Sequence, residues 1–196
     1  MQTAARPGSS AEDTRTRILA ATKEVYETNG TRGTTTRLVA ERAGVNEATI
    51  FRHFGSKQAL LVAMREQSCG VAVFESVMAA LSGDVARDLR TMADLLVERM
   101  RAQRSLMCIS LAEDAAGEER MTDPEWRGPQ RILQRLGDFF RIHAERGDVK
   151  GDPHRLAVFF MGILFSYVVA RRLWDSDNPS APDIDFIVTT FLNGVR

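Results

Sequence analysis

Apolar residues recur at intervals of three and four along most of the chain, with polar residues between them. This is the spacing of helices that bury one face, and segments that alternate in the manner of a strand are almost absent. Glycine, proline and small polar residues interrupt the pattern at several points. We therefore predict an all-α fold of about nine helices, at about residues 13–29, 36–43, 46–54, 56–81, 85–103, 104–116, 130–145, 153–174 and 184–192.

Residues that prefer helix ends mark several of these boundaries. Gly30 is expected just past the first helix, Thr35 or Thr36 can cap the second, Asn46 the third and Ser56 the fourth. The predicted inner faces are Ile18, Ala21, Thr22, Val25 and Tyr26 in the first helix, Leu38, Val39 and Ala43 in the second, and Leu89, Met92, Leu96 and Met100 in the fifth.

Residues 34–57 carry the strongest indication of function, because they predict two short helices joined by a tight turn at Ala43, Gly44 and Val45. The inner face of the third helix needs only Ile50 and Phe54, which lie four residues apart. Its outer face then presents Glu47, Ala48, Thr49, Phe51, Arg52 and His53. One face that holds a domain together and another that is free to enter the DNA major groove are typical of a helix-turn-helix.

The run AERAGVNEATIFRHFGSKQALL resembles the DNA-binding signature of the TetR family of one-component transcriptional regulators. The resemblance is specific over about residues 13–64, and the last two long helices are similar only in layout. It implies a helix-turn-helix head at 13–58 and an effector-binding and dimerisation body at 59–196. The residues before the head are small and polar, so we predict a flexible arm at 1–12, in which Arg6 could contact the DNA backbone. Phe51 departs from the family pattern, which most often has Tyr, and so lacks a hydroxyl that could contact phosphate.

Several side chains of this head are candidates for contacts with DNA. We expect Thr36, Arg37 and Lys57 to contact phosphates, together with the helix starts at Thr35 and Asn46, because helix N-termini present amide donors. Among the base contacts, we expect Glu47 to accept from cytosine and Arg52 to donate to guanine. Ala48 and the Thr49 methyl group are expected to contact thymine methyl groups. His53 is expected to donate to a phosphate. The alternatives are that Phe51 packs beneath the helix, that Glu47 only complements the helix N-terminus, and that Arg52 pairs with a carboxylate.

The helix at about 153–174 is apolar on nearly every side, and the last helix, at about 184–192, adds further apolar residues. Side by side they would form a patch that a monomer would not leave exposed. We predict a homodimer through these two helices, although both faces could instead be internal to one subunit. A dimer would place two reading helices about 34–36 Å apart, on successive major grooves of a palindromic operator in double-stranded DNA.

The resemblance further implies a small-molecule effector cavity, formed mainly by the fifth to eighth helices, whose occupation tilts the fourth helix and releases a repressor from its operator. Met and aromatic residues suit an adaptable apolar pocket. The candidate lining residues are Met92, Leu96, Met107, Phe140, His143, Phe160, Leu164 and Tyr167. The alternative is that this stripe is ordinary core and that His143 lies at the surface.

Composition limits the other possibilities. The 196 residues carry no net charge, but residues 1–57 hold 9 Lys and Arg against 6 Asp and Glu, and residues 58–196 hold 17 against 20. This asymmetry has the sign expected for a DNA-binding head on a neutral-to-acidic body. Cys69 and Cys108 lack the spacing of a zinc site or disulfide framework, which suits a reducing cytoplasm.

We expect neither an enzyme nor a membrane protein. The three histidines form no HExxH pair, no nucleophile elbow or phosphate loop occurs, and no metal or cofactor is expected. The apolar run 156–170 is shorter than the roughly 18 residues that a span requires, and the N-terminus lacks the apolar core of a signal peptide. The remaining alternative is an effector-independent structural or adaptor protein that binds DNA.

Overall fold

The computed structural model describes residues 11–116, 127–170 and 183–195. These residues form helices and no strand, which confirms the predicted all-α fold. The α-helices are α1 Ala11–Gly33, α2 Thr36–Ala43, α3 Glu47–Phe54, α4 Lys57–Cys69, α5 Val71–Ala79, α6 Val85–Ala102, α7 Arg104–Ala115, α8 Gly128–Glu145, α9 Pro153–Phe165 and α10 Ile184–Val195. α9 continues into a π-helical turn, Ser166–Ala170.

Three predicted segments fall outside the described residues, wholly or in part: the N-terminal arm with Arg6, the loop at 117–126, and the end of the eighth helix with the break that follows it at 171–182. The chain divides into two compact units between Arg65 and Glu66, so α4 contributes residues to both. The proposed domain boundary after residue 58 stays a prediction.

The core of the first unit is built on α1. All five predicted inner residues of this helix are buried, and α2, α3 and α4 contribute further buried apolar side chains to the same unit. Gly30 has a positive φ of 65° with ψ of −172°, a conformation that favours glycine, and interrupts α1 where the sequence predicts its end. The buried apolar residues of this unit are Ile18, Leu19, Ala21, Val25, Tyr26, Val39, Ala40, Ala43, Ile50, Leu60, Leu61, Val62 and Met64.

The predicted inner face of α2 needs one correction. Leu38 is 41% exposed, and Ala40 takes the place expected for it in the core. The helix begins at Thr36, after the cap Thr35, whose hydroxyl accepts a hydrogen bond from the Leu38 amide. This start turns the Val39, Ala40 and Ala43 face inward and leaves Leu38 on the adjacent exposed side.

The predicted single fourth helix is wrong, because Gly70 divides it into α4 and α5. Gly70 is in the left-handed region, with φ of 70° and ψ of 29°, which favours glycine. The guanidinium of Arg99 in α6 also occupies the space that a side chain at position 70 would fill. One glycine in a continuous apolar pattern is compatible with a helix, so the sequence alone did not reveal this break.

The core of the second unit lies between α6, α8, α9 and α10. The predicted α6 stripe is confirmed, since Leu89, Met92, Leu96 and Met100 are all buried. Aromatic rings join α8, α9 and α10 to one another: the Phe140 ring lies 6.3 Å from that of Phe160 and 5.6 Å from that of Phe191. α8 and α9 pack against each other, and α10 packs against α6.

The helix that the sequence predicts to be apolar on nearly every side passes a simple test for a membrane span. Within the described residues, Pro153–Ala170 is long and apolar enough to cross a membrane, although core helices of soluble proteins pass the same test. Leu156, Phe160 and Leu164 of α9 are buried in the core of the second unit. This burial supports the prediction of a core helix, with further apolar residues on its outer side.

Candidate nucleic-acid interface and effector-binding body

A glycine turn connects the two short helices of the first unit. Gly44 adopts φ of 65° and ψ of 38°, and its amide donates to the Glu41 carbonyl at 3.3 Å. The Val45 amide donates to the Ala40 carbonyl at 3.0 Å. These two bonds satisfy carbonyl groups at the end of α2 and turn the chain, so that only three residues separate α2 from α3.

Asn46 starts α3 as predicted. Its side-chain oxygen accepts from the Thr49 amide at 2.8 Å and from the Thr49 hydroxyl at 2.9 Å. Ile50 is fully buried and anchors the inner face. The opposite side of the helix is therefore held outward, with Glu47, Ala48, Phe51 and Arg52 exposed and Thr49 and His53 half-buried.

Two of the alternatives for this helix are removed by the structure. Phe51 is 47% exposed, so it does not pack beneath α3, and the inward aromatic residue is Phe54. The guanidinium of Arg15 covers the Phe54 ring, 4.6 Å from its centroid. Arg52 is exposed and forms no ion pair within the described part of the chain.

Thr36 and Glu47, assigned to separate contacts from the sequence, bond to each other: the Thr36 hydroxyl donates to Glu47 Oε1. This bond links the first turn of α2 to the first turn of α3. It fixes the Glu47 carboxylate at the start of the reading helix and occupies the Thr36 proton that was expected to face a phosphate. Eleven residues separate the pair, so no local pattern indicated the contact.

The two predicted cationic phosphate contacts differ in their surroundings. Lys57 donates to the Thr31 carbonyl at 2.8 Å and so joins the start of α4 to the end of α1, while two of its three ammonium protons are not used in that bond. Arg37 is exposed, and among the described residues it pairs only with Glu41, one turn on, at 3.3 Å. An exposed pair of this kind is weak, so Arg37 can exchange its partner for a phosphate at little cost.

Comparison with known proteins identifies the family. Residues 18–64 match the family model of bacterial regulatory proteins of the tetR family. The uncharacterized HTH-type transcriptional regulator YvkB of Bacillus subtilis (strain 168) is 33% identical over 159 residues, which are 81% of this chain and 82% of that protein. The chain belongs to the TetR family. It is therefore a DNA-binding transcriptional regulator, as the resemblance implied.

Solved structures of other regulators show a similar fold. The fatty acid degradation regulator FadR from Bacillus halodurans has a TM-score of 0.71 at 18% identity, covering 92% of this chain and 99% of that one. FadR from Bacillus subtilis, solved in complex with stearoyl-CoA, has a TM-score of 0.70 at 16% identity, covering 91% and 95%. At these identities the likeness concerns the fold alone.

The residues proposed to line an effector cavity lie in the second unit of this TetR-family regulator, and most of them are core. Met107 packs against this core from a half-buried position, and Tyr167 is partly exposed on the π-helical turn. The other apolar candidates are buried: Met92, Leu96, Phe140, Phe160 and Leu164. Their role as a lining stays a prediction.

His143 is not a surface residue, so that interpretation is wrong. It is 2% exposed, its Nδ1 lies 2.7 Å from Asp148 Oδ2, and its ring lies 4.4 Å from that of Phe139. The Asp148 amide also donates to the His143 carbonyl at 2.9 Å. The histidine therefore fastens the end of α8 to the turn that follows it, which the sequence did not indicate because Asp148 lies in a predicted break.

Asp88 is a second buried polar residue that the sequence analysis missed. Its carboxylate accepts from the Ser82 amide at 2.8 Å, the Ser82 hydroxyl at 2.7 Å and the Gly83 amide at 2.8 Å. Burial raises the pKa of Asp88, but these hydrogen bonds and the nearby His143 outweigh it, so the pKa lies below its ordinary value of 3.8. The carboxylate thus fixes the turn that starts α6.

We expect Asp88→Asn to lower the free energy of unfolding at pH 7 by about 1–3 kcal/mol, because an amide cannot accept all three bonds. A lowered folded-state pKa gives stability that is present above the unfolded pKa and lost as the pH falls through the folded one. The difference between wild type and variant should therefore narrow from about pH 5 to pH 3. Urea unfolding at pH 5 and at pH 3 tests this, and Asp94→Asn, at an exposed position of the same helix, is the control. A difference that stays constant with pH would contradict the assignment.

The outer sides of α9 and α10 carry the exposed apolar patch expected of a dimer interface. Phe159 of α9 and Phe186 of α10 are each 60% exposed, and Val158 is also exposed. The Phe159 ring lies 5.9 Å from the Phe191 ring, so the two helices lie side by side. We name Val158, Phe159 and Phe186 the α9–α10 patch.

Proposed function

We propose that this regulator is a repressor that binds a palindromic operator as a homodimer and is released by a small apolar or amphipathic effector. The observation that carries the proposal is the outward face of α3. Glu47, Ala48 and Arg52 are exposed there on a helix that Ile50 anchors from behind. Such a helix can enter a major groove without losing any core contact.

Each side chain on this face has chemistry suited to one kind of DNA group. Arg52, which forms no ion pair with any described residue, would donate to guanine O6 and N7. Glu47, positioned by Thr36, would accept from a cytosine amino group. The Thr49 hydroxyl bonds to Asn46, which leaves its methyl group and that of Ala48 for thymine methyl groups.

The backbone contacts would come from the helix starts around this face. Arg37 and Lys57 supply cations, and His53 can donate one proton. The first turns of α2, α3 and α4 add amide groups and partial positive charge, although the caps Thr35, Asn46 and Ser56 already satisfy some of those amides. These contacts set the position on DNA and add affinity that does not depend on sequence.

The α9–α10 patch supports the homodimer. Large aromatic side chains that are exposed together on two adjacent helices mark an interaction surface. A second copy of the chain offers the same patch, and a twofold axis would pair the two patches with each other. The resulting four-helix contact would hold two reading helices at the separation of successive major grooves, about 34–36 Å.

The apolar core of the second unit supports an effector that has an apolar part. Its Met and Phe side chains can repack around a ligand more readily than β-branched residues can. FadR of Bacillus subtilis, similar in fold, was solved with stearoyl-CoA. An effector that prefers one of two arrangements of the second unit would shift α4, which contributes residues to both units, and so lower the affinity for DNA.

A spacing test examines the dimeric part of this proposal. Fluorescence anisotropy would compare the selected palindrome with versions in which 5 or 10 base pairs separate the two half-sites further. We expect the 5-base-pair insertion to weaken binding at least tenfold, because it turns one half-site to the opposite side of the duplex. The 10-base-pair insertion returns the two half-sites to the same side of the duplex but leaves them farther apart. Equal binding to all three duplexes would contradict a pair of readers at fixed separation.

A further inference from the structure

A polar pair ends the apolar stripe of α6. Arg99 and Gln103 lie one helical turn apart, and the Gln103 amide donates to the Arg99 carbonyl at 3.0 Å. Two of their side-chain atoms, Arg99 Nε and Gln103 Oε1, are shielded from solvent and have no hydrogen-bond partner among residues 11–116, 127–170 and 183–195. One is a donor and the other an acceptor, so each lacks a complementary group. Buried polar atoms of this kind normally have a partner, which makes the pair informative.

The backbone opposite Arg99 is shaped to receive its guanidinium. Gly70, at the break between α4 and α5, leaves free the space into which the guanidinium extends. The neighbouring Cys69 does not neutralise this charge, because burial raises the pKa of its thiol to about 11. The thiol therefore stays protonated at neutral pH, even with Arg99 and Arg131 beside it.

The other charges around this position do not supply the missing anion. Arg131 also faces Cys69, but it pairs with Glu75 at 3.2 Å. Glu66, which acts on the same thiol, forms no ion pair with Arg99 among the described residues. Within the part of the chain that the structure describes, no carboxylate pairs with the half-buried Arg99 guanidinium. Such a charge is unfavourable, and a bound carboxylate or phosphate would relieve its cost.

The same face of α6 continues from this polar pair into the core. Leu96 and Met92 precede Arg99 by three and seven residues, and both are buried. The face therefore presents two apolar side chains followed by a cation and an amide oxygen. This order matches an amphipathic molecule with one charged end.

We infer that Arg99 and Gln103 bind the anionic head group of the effector, a carboxylate or phosphate, with an adjacent hydroxyl or amide N–H donating to Gln103 Oε1. The apolar part of the molecule lies along Leu96 and Met92. The inference rests on the proposed release by an effector and adds its chemical class. A single water molecule could instead bridge Nε and Oε1, and the experiment separates the two cases.

The test uses the full-length protein and a matched series of probes: decanoate, decanol and decanoyl-CoA. Calorimetry and thermal unfolding would measure binding to the wild type and to Arg99→Met. We expect decanoate or decanoyl-CoA to bind at least tenfold more tightly than decanol, and Arg99→Met to remove that preference. Binding of the thioester without decanoate identifies a phosphate head group, and binding of both identifies a carboxylate as sufficient.

Three control variants keep the result interpretable. Arg101→Met, on the exposed side of the same helix, should bind like the wild type. Arg99→Lys keeps the charge without the planar fork and should lose part of the affinity. Gln103→Met should weaken only probes that carry a hydroxyl or amide next to the anion, such as 2-hydroxydecanoate. The unliganded Arg99→Met protein should unfold at the same temperature as the wild type or higher, because an unpaired half-buried cation is removed.

Equal affinity of Arg99→Met and wild type for the anionic probes overturns the inference. Failure of the wild type to bind any anionic probe also overturns the inference, and a water molecule between Arg99 and Gln103 is then the explanation. Operator binding measured on the same preparations separates this failure from that of the proposed function. If the protein binds the operator but none of the anions, it is still a DNA-binding regulator and only the anion site is wrong. If the anions bind at Arg99 without releasing the protein from DNA, the anion site is correct and the release mechanism is wrong.

Discussion

The double variant Phe159→Glu/Phe186→Glu should be monomeric and should bind a palindromic operator about 100-fold or more weakly than the wild type, because joining two readers raises affinity through effective concentration. Both rings are 60% exposed in the single chain, so the glutamates should not disturb its core. Across a twofold contact the new carboxylates would face one another and the partner's apolar side chains, where they would repel and lose hydration.

Analytical ultracentrifugation and anisotropy on the same samples test this prediction. Leu111→Glu is the matched control, because Leu111 of α7 is an exposed apolar residue outside the α9–α10 patch. It should leave both the molecular mass in solution and operator binding unchanged. A double variant that remains a dimer would contradict the proposed interface. A monomeric variant with undiminished operator affinity would contradict the need for two joined readers.

Arg52→Ala should lower affinity for the cognate operator by about 1–3 kcal/mol, roughly 5- to 150-fold, and relax the preference at one base-pair position in each half-site. Arg52 is exposed and forms no ion pair in the described residues, so its removal should leave stability unchanged. The whole effect should then belong to the lost contact with guanine.

The matched control is Arg37→Ala, on α2, which removes an exposed arginine expected to contact phosphate. It should weaken cognate and scrambled DNA alike and reduce the slope of log affinity against log salt by about 1. Binding titrations over a range of salt concentrations separate the two behaviours. If Arg52→Ala weakens scrambled DNA as much as the operator, Arg52 contacts the backbone and the base assignment is wrong.

The sequence was sufficient for features that depend on neighbouring residues. The caps Thr35 and Asn46, the turn at Gly44 and the anchoring role of Ile50 follow from short-range preferences, and the structure confirms them. The stripe of α6 follows from helical spacing in the same way. Local rules predict such elements because each depends on residues within about one turn of the helix.

The sequence was insufficient where distant residues meet. The bond between Thr36 and Glu47 links two helices, and both residues were assigned to DNA as if each were free. At the break between α4 and α5, the Arg99 guanidinium of α6 occupies the space that a side chain at Gly70 would fill. The sequence allows His143 to line a pocket or to lie at the surface, and it does not reveal the contact with Asp148, which lies beyond the helix end. In all three cases tertiary packing decides the role of a residue whose local pattern permits another.

Selection of bound sequences from random duplex DNA, with purified wild-type protein at near-physiological salt, tests most directly that paired α3 helices read DNA. We predict recovery of one palindrome, with half-sites centred about 10 base pairs apart or a multiple of that distance. Arg52→Ala selected in parallel should lose one conserved guanine in each half-site. Recovery of no sequence above background, from protein shown to be free of bound small molecules, would contradict the account, and so would a single site without symmetry.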